Sequence, residues 1–318
     1  MIPGGEAEPG RAPVPILTVP SAVRPFYLEA APARGQLVRL GPLADALLTR
    51  HALPDVVAQL LGEALALTAG LAAALKFEGS FSLQARGDGP VGMLLADCTG
   101  RGALRGYARI DAAALARFDG APSAARLLGA GHLAFTVDQG PEMDRYQGIV
   151  PLEGSSLADL AHTWFRTSQQ VEAAVKLVAA RTPAGWRASA LLLERIAFAG
   201  GGRRRTPEDD DEAWRTAVML AGSATGAELL DEGLPAERLL WRLFHELDPR
   251  IQHAKPVSFG CRCSRERIER VLAGFGSAEL DQMAEDGAIT VTCEFCNVDF
   301  RFDRGDVGAA SPADGGAA

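Results

Sequence analysis

Long apolar runs are missing from this chain of 318 residues. The longest nearly unbroken one, Ala64 to Leu75, is 12 residues and too short to cross a bilayer as a helix. Residues 1–20 contain a single basic residue, Arg11, and no apolar h-region, so no export signal is expected. Positive charge is not in excess either. Lys and Arg total 32 against 40 Asp and Glu, a net charge of −8, which argues against a general binder of nucleic acid or another polyanion. No Ser/His/Asp set, paired-carboxylate motif or phosphate-cradling glycine loop emerges. The five histidines, His51, His132, His162, His245 and His253, are scattered and read as surface or capping residues. The chain is therefore not expected to be an enzyme, and neither a membrane nor a nucleic acid is expected as a partner.

Cysteine is scarce, and its placement is the informative feature. Four of the five cysteines lie within 36 residues, as Cys261-Arg-Cys263 and Cys293-Glu-Phe-Cys296, with 29 residues between the pairs. Two close pairs of soft ligands supply the four sulfurs of a tetrahedral structural zinc site, so Cys261, Cys263, Cys293 and Cys296 are the candidate ligands of one Zn(2+). A segment of about fifty residues is near the lower limit for folding on its own core. Closing the intervening loop costs about 3 kcal/mol from its length alone. Zinc binding to such a site is worth roughly 10–16 kcal/mol, so the segment should fold with metal and unfold without it.

Other readings of the four cysteines remain open. A thiol–disulfide enzyme would place its C-x-x-C at a helix N-terminus, whereas Cys293 follows the strand-like Ile289-Thr-Val-Thr292 and precedes Phe300-Arg-Phe302, the context of a zinc knuckle in a β-hairpin. A zinc-ribbon RNA-binding protein would be basic, but Lys255 to Gly305 carries seven basic and nine acidic residues. The metal could also serve only to hold the segment together. Clustered cysteines of metal-binding type plus one odd thiol, Cys98, fit a reducing compartment, so a cytoplasmic location is expected. Cys98 itself reads as a buried strand residue.

The rest of the chain reads as α+β. Residues 1–20 are expected to be a disordered extension, 21–205 an α+β domain, 206–254 a helical linker, 255–305 the zinc-binding domain, and 306–318 a disordered tail. Two strands flank the turn near Ala31–Gly35, and a core helix runs from Asp55 to Lys76, where Gly62 and Gly70 permit close packing. Residues 77–150 alternate with a period of two and are broken by turn signals, giving an antiparallel meander. Ser156-Leu-Ala-Asp159 starts a helix whose spacing carries on through Val171, Val175 and Val178, followed by a strand from Trp186 to Phe198. The basic run Arg203–Arg205 beside Glu208-Asp-Asp-Asp211 reads as a solvated loop. Short helices then follow at Trp214–Leu220, after Thr225, and over Ala236–Leu247. They show no core of their own and must lie against another part of the chain.

The chain resembles the heat shock protein 33 family, the redox-regulated bacterial holdase chaperones. The likeness rests on Cys261-Arg-Cys263-Ser-Arg-Glu-Arg267 and Cys293-Glu-Phe-Cys296-Asn297. It extends through Leu75-Lys-Phe-Glu-Gly79, Gln84, Gly87-Asp-Gly-Pro90, Arg105-Gly-Tyr107, Tyr146-Gln-Gly-Ile149 and Trp241-Arg-Leu-Phe-His245, covering residues 24–303. Two departures are Gln169 within Ser168-Gln-Gln170, where the family has Ser-Glu-Gln, and Ser189-Ala190 in place of Gly-Gly.

The resemblance implies that the reduced cysteines hold zinc in an inactive form. Oxidation would then form Cys261–Cys263 and Cys293–Cys296 disulfides, release zinc and unfold the zinc segment with the metastable linker. Apolar faces such as Leu229, Leu230, Leu239, Leu240 and Phe244, with uncovered surface on the 21–205 domain, would then bind unfolding client proteins without ATP. The resemblance further implies dimerisation on oxidation and hand-over of clients to ATP-dependent refolding chaperones. Two residues of extended chain separate Cα atoms by about 7 Å, at the edge of what a disulfide tolerates, so a C-x-C bridge would be readily reducible.

Overall fold

The computed structural model describes residues 22–75, 79–118, 123–140, 143–197 and 206–307. The expected disordered extension at 1–20, positions 308–318 of the tail expected over 306–318, the basic run at 203–205, and residues 76–78 of the family-like segment lie outside the described residues. At the start of that expected tail, Val307 is buried. The chain divides into two compact units, Ile16–Gly260 and one that contains Cys261 onward.

In the first unit, β1 (Ala22–Leu28) and β2 (Ala33–Arg39) are followed by α1 (Pro42–Leu48) and the long α2 (Asp55–Ala73). Next come β3 (Ser80–Gly87), β4 (Val91–Thr99) and β5 (Ala103–Ile110), then α3 (Ala112–Ala116), α4 (Ala124–Leu128), β6 (Gly131–Asp138) and β7 (Tyr146–Pro151). After α5 (Leu157–Trp164) the chain forms a hairpin of β8 (Ala173–Thr182) and β9 (Gly185–Arg195). Three helices follow, α6 (Pro207–Gly222), α7 (Gly226–Leu230) and α8 (Ala236–Phe244). The short strands β10 (Pro249–Ile251), β11 (Lys255–Pro256) and β12 (Ser258–Phe259) complete the unit.

These strands make two sheets. One has the order β10-β1-β2-β9-β8, with β11 also on β1; the other has the order β12-β5-β4-β3-β6-β7. Pairing is antiparallel except between β12 and β5. The α+β class read from the sequence is the observed one.

The helix α2 lies between the sheets, and its glycines set the spacing. A Cβ on Gly62 would come within 2.7 Å of Ala179, and one on Gly70 within 2.6 Å of Leu192, so the helix backbone seats directly on the first sheet. Leu61 and Leu65 face the other way, against Gly106 of β5. At 19 residues α2 is long and apolar enough to cross a membrane by length and composition, and 83% of its most apolar window is buried inside the fold. Gln59 and Glu63, which interrupt the apolar run in sequence, hydrogen-bond to each other at 3.4 Å. Burial pushes the Glu63 carboxyl above the usual range.

Two sequence expectations are corrected. The helix starting at the Ser156/Asp159 capping box ends at Trp164 instead of running through Val178. A π turn over Phe165–Gln169 and a left-handed Gln170 (φ 53°) turn the chain into β8. Val175 packs into the core around α2 and Val178 into the core on the opposite side of the sheet. Their spacing of three suits a helix and a strand alike, and pairing with the apolar β9 decides between them. Likewise, the acidic run after position 207 is the first turn of α6, closed by a Thr206/Asp209 capping box. Carboxylates there offset the positive end of the helix dipole.

The helices α6 to α8 cover the face of the first sheet opposite α2. Their buried side chains, including Trp214, Leu229, Leu239, Leu240 and Phe244, pack on Phe26, Leu28, Leu37, Leu191 and Leu193. Phe244 stacks on Phe26 with ring centroids 5.5 Å apart. Leu230 is half-buried. Here is the core that the short helices lacked.

The second unit is small. It contains α9 (Arg265–Leu272), α10 (Ser277–Met283) and a hairpin of β13 (Ala288–Thr292) with β14 (Asp299–Asp303). Its buried apolar core among the described residues is Leu272, Leu280, Ile289, Phe300, Phe302 and Val307.

Candidate metal centre

Each cysteine pair is delivered by a local signal. Cys261 and Cys263 end an extended segment at Ser264, whose hydroxyl accepts from the Arg267 N–H and starts α9. Cys293 and Cys296 occupy the turn between β13 and β14. The Cys293 N–H bonds to the Val298 carbonyl at 3.0 Å, the Asn297 N–H bonds back to the Cys293 carbonyl at 2.8 Å, and Asn297 takes a left-handed conformation (φ 53°). Asparagine tolerates that region well, which lets the chain double back within four residues. Arg265 joins the two halves: its guanidinium lies 4.4 Å over the Phe302 ring and donates to the Arg301 carbonyl at 2.9 Å.

The four sulfurs converge. Cys261 Sγ lies 3.2 Å from Cys263 Sγ and 3.7 Å from Cys293 Sγ, and Cys263 Sγ lies 3.5 Å from Cys296 Sγ. All four are within 4.8 Å of one another. Zinc with four Zn–S bonds of about 2.3 Å requires sulfurs about 3.8 Å apart, so these separations fit that ion with small adjustments. None of the four cysteines is joined in a disulfide in this structure.

Electrostatics favour a cation at the centre. Hydrogen bonds from the Cys261 and Cys296 thiols, helped by the main-chain N–H groups of Cys296 and Phe295, hold Cys293 well below the ordinary thiol range. Burial, then the Cys261 thiol, pushes Cys263 up to about 12. Cys296 is pushed up as well, first by Cys261, then by Cys293 and by burial. Cys293 is thus favoured as a thiolate while Cys263 and Cys296 resist ionisation, and a divalent cation at the centre would favour the ionised form of its sulfur ligands.

The other candidate residues go elsewhere. Cys98 is buried in β4 within the core around α2. His253 belongs to the first unit and is exposed. His162 does cap: its Nε2 accepts the Val175 N–H at 3.3 Å, closing a position on the edge strand β8. The family-like Tyr146 donates to the Ser168 carbonyl at 2.9 Å and receives a bond from the Gln169 amide at 3.3 Å, so the first departure is a satisfied contact. The second lies in β9, where Ser189 is fully buried and its hydroxyl donates to the Val38 carbonyl at 2.6 Å. Sequence reasoning missed five cations, Arg24, Arg39, Lys176, Arg187 and Arg195, which reach from the first sheet to α6–α8. Their signal was present, since each sits in the period-two pattern of its strand with the apolar residues of that face.

Fold and site together define an α+β protein with an appended four-cysteine knuckle able to hold a metal ion. The profile of the family described as Hsp33 protein matches residues 21–303. A 33 kDa chaperonin of Caulobacter vibrioides is 42% identical over 289 residues, covering 88% of this chain and 94% of that protein. One of Nitrosococcus oceani is 40% identical over 286 residues, covering 89% and 91%. The crystal structure of the 33 kDa chaperonin of Thermotoga maritima superposes with a TM-score of 0.75 at 21% identity, covering 90% of this chain and 96% of that one, and so shows the same fold. The chain belongs to the Hsp33 family.

Proposed function

We propose that this protein is a redox-regulated, ATP-independent holdase, a chaperone that binds unfolding proteins during oxidative stress. The observation that carries the proposal is the sulfur cluster, four thiols within 4.8 Å in a unit whose buried core is six apolar side chains. A unit with so little apolar burial depends on whatever ties its sulfurs together. Bound Zn(2+) would be that tie. Oxidation would remove it: each cysteine pair gives two electrons to one peroxide, an S–S bond forms, and two waters leave. Cys261–Cys263 and Cys293–Cys296 are the proposed bridges, and neither joins one pair to the other.

In this reading 255–305 is the switch, 206–254 the metastable linker and 21–205 the client-binding domain. Release of α6–α8 would uncover Phe26, Leu28, Leu37, Leu191 and Leu193 together with the helices' own leucines, and this surface takes the client. Operation in the cytoplasm, dimerisation of the oxidised form, hand-over to ATP-dependent refolding chaperones and the lack of enzymatic turnover belong to the same proposal. The test is light scattering from a heat-denatured client protein. Chain treated with warm peroxide should suppress aggregation, reduced zinc-loaded chain should not, and dithiothreitol should restore the inactive state. Equal behaviour of the two forms would overturn the reading.

A further inference from the structure

The helices that cover the first sheet are strongly acidic. Residues 206–247 hold ten carboxylates and three arginines, a formal charge of −7 where the whole chain has −8. The sheet beneath carries the opposite sign on the covered face. Arg24, Arg39, Lys176, Arg187 and Arg195 occupy the same alternating positions of their strands as Phe26, Leu37, Val178, Leu191 and Leu193. Each reaches the helical segment. Arg195 pairs with Asp211 of α6, as well as with Glu172 at 2.8 Å. Lys176 Nζ donates to the Gly222 carbonyl at 2.8 Å. Arg39 donates to the main-chain carbonyls of Glu228, at 2.8 Å, and Leu234. Arg187, itself 5% exposed, pairs with Glu232 at 3.0 Å, and Arg24 pairs with Glu237 at 2.8 Å. A cavity of about 420 Å³ remains between sheet and helices at the corner where Arg24, Arg39 and Arg187 meet Glu232 and Glu237.

We infer that the face covered by α6–α8 is a docking surface selective for acidic amphipathic polypeptide segments, which the chain's own 206–247 segment occupies in the resting state. An apolar centre ringed by cations rewards an incoming stripe of leucine or phenylalanine with glutamate or aspartate at its edges. It penalises a basic partner, whose charges would face Arg24, Arg39 and Arg187 on desolvation. The sign of this selectivity opposes the net charge of the chain, which at long range attracts basic partners. The inference rests on the proposed function, because the face is free only when the helices leave it.

The test uses the full-length oxidised chain and two synthetic peptides of about 20 residues with the same Leu/Phe stripe, one flanked by Glu and one by Lys. Fluorescence anisotropy at about 50 mM salt should show the Glu peptide binding about tenfold more tightly, and the advantage should shrink at about 500 mM salt. The double variant Lys176→Gln and Arg195→Gln should lose part of that advantage, and an undiminished preference for the Glu peptide in this variant would count against these cations as its source. Equal binding of the two peptides, or tighter binding of the Lys peptide, would overturn the inference while leaving the holdase standing if aggregation is still suppressed. Failure to suppress aggregation would remove the holdase reading and this inference with it.

Discussion

The two compact units differ in what holds them. Around α2 the first unit buries side chains from both sheets in one apolar core, where the Cys98 thiol is a single buried side chain among many. The second unit, over 261–307, closes on six apolar residues and four thiols. The difference shows how one chain combines robustness with a switch. Burial spreads the first unit's stability over many side chains, whereas concentrating stability in one sulfur cluster makes the second answer to a single chemical event.

The strongest test of this contrast is metal removal. Loading the reduced chain with zinc and then stripping it with a chelator, or replacing Cys293 with Ser, should withdraw about 10–16 kcal/mol of metal binding from the second unit. Amide exchange in β13 and β14 should then rise to the unfolded rate while α2 and β9 stay protected. Protection that persists across 288–303 without metal would show that the small core suffices.

A second test compares the two cores of the first unit. Leu65 of α2 is buried against β5, and Phe244 of α8 is buried against Phe26 of β1. Leu65→Ala should cost about 2–5 kcal/mol and lower the melting temperature of the whole unit. Phe244→Ala should cost about 3–5 kcal/mol, but its effect should be local: α6–α8 should open at lower temperature and the reduced protein should already hold clients. If both variants give one common transition, the helical cover and the sheet are a single cooperative body.

Much of this was legible in the sequence, because the signals were local. Capping boxes at Ser156, Thr206 and Thr225 start three helices where they were expected, or seven residues earlier at α6. The cysteine spacing announced the knuckle, and alternation announced the sheets. What was not legible depends on partners distant in sequence. Val171, Val175 and Val178 could not declare themselves strand residues without β9, and Leu239 or Phe244 could not declare what they cover without β1 and β2. The cations of the covered face were hidden for the same reason. Arg39 and Glu228 become neighbours only after the sheet has formed.

The smallest expected effect is on pH. Hydrogen bonds from the Thr225 backbone and hydroxyl hold the Glu228 carboxyl below its usual range, with Arg242 and Lys176 adding to this. A depressed folded value means that this group stabilises α7 above the ordinary glutamate pKa, and that its contribution fades as pH falls through the folded value. Acid titration followed by amide exchange at Glu228 and Leu229 should show α7 loosening in that window, with α2 unaffected. Thr225→Ala should flatten the pH dependence.

The grip of Arg39 has a consequence for sequence drift. Its guanidinium holds two main-chain carbonyls, those of Glu228 and Leu234, and every residue type presents the same carbonyl. The mooring itself is therefore insensitive to which side chains stand at 228, within α7, and at 234, although the Glu228 carboxylate separately caps α7. The arginine, which has no such substitute, is the member of the pair on which selection falls.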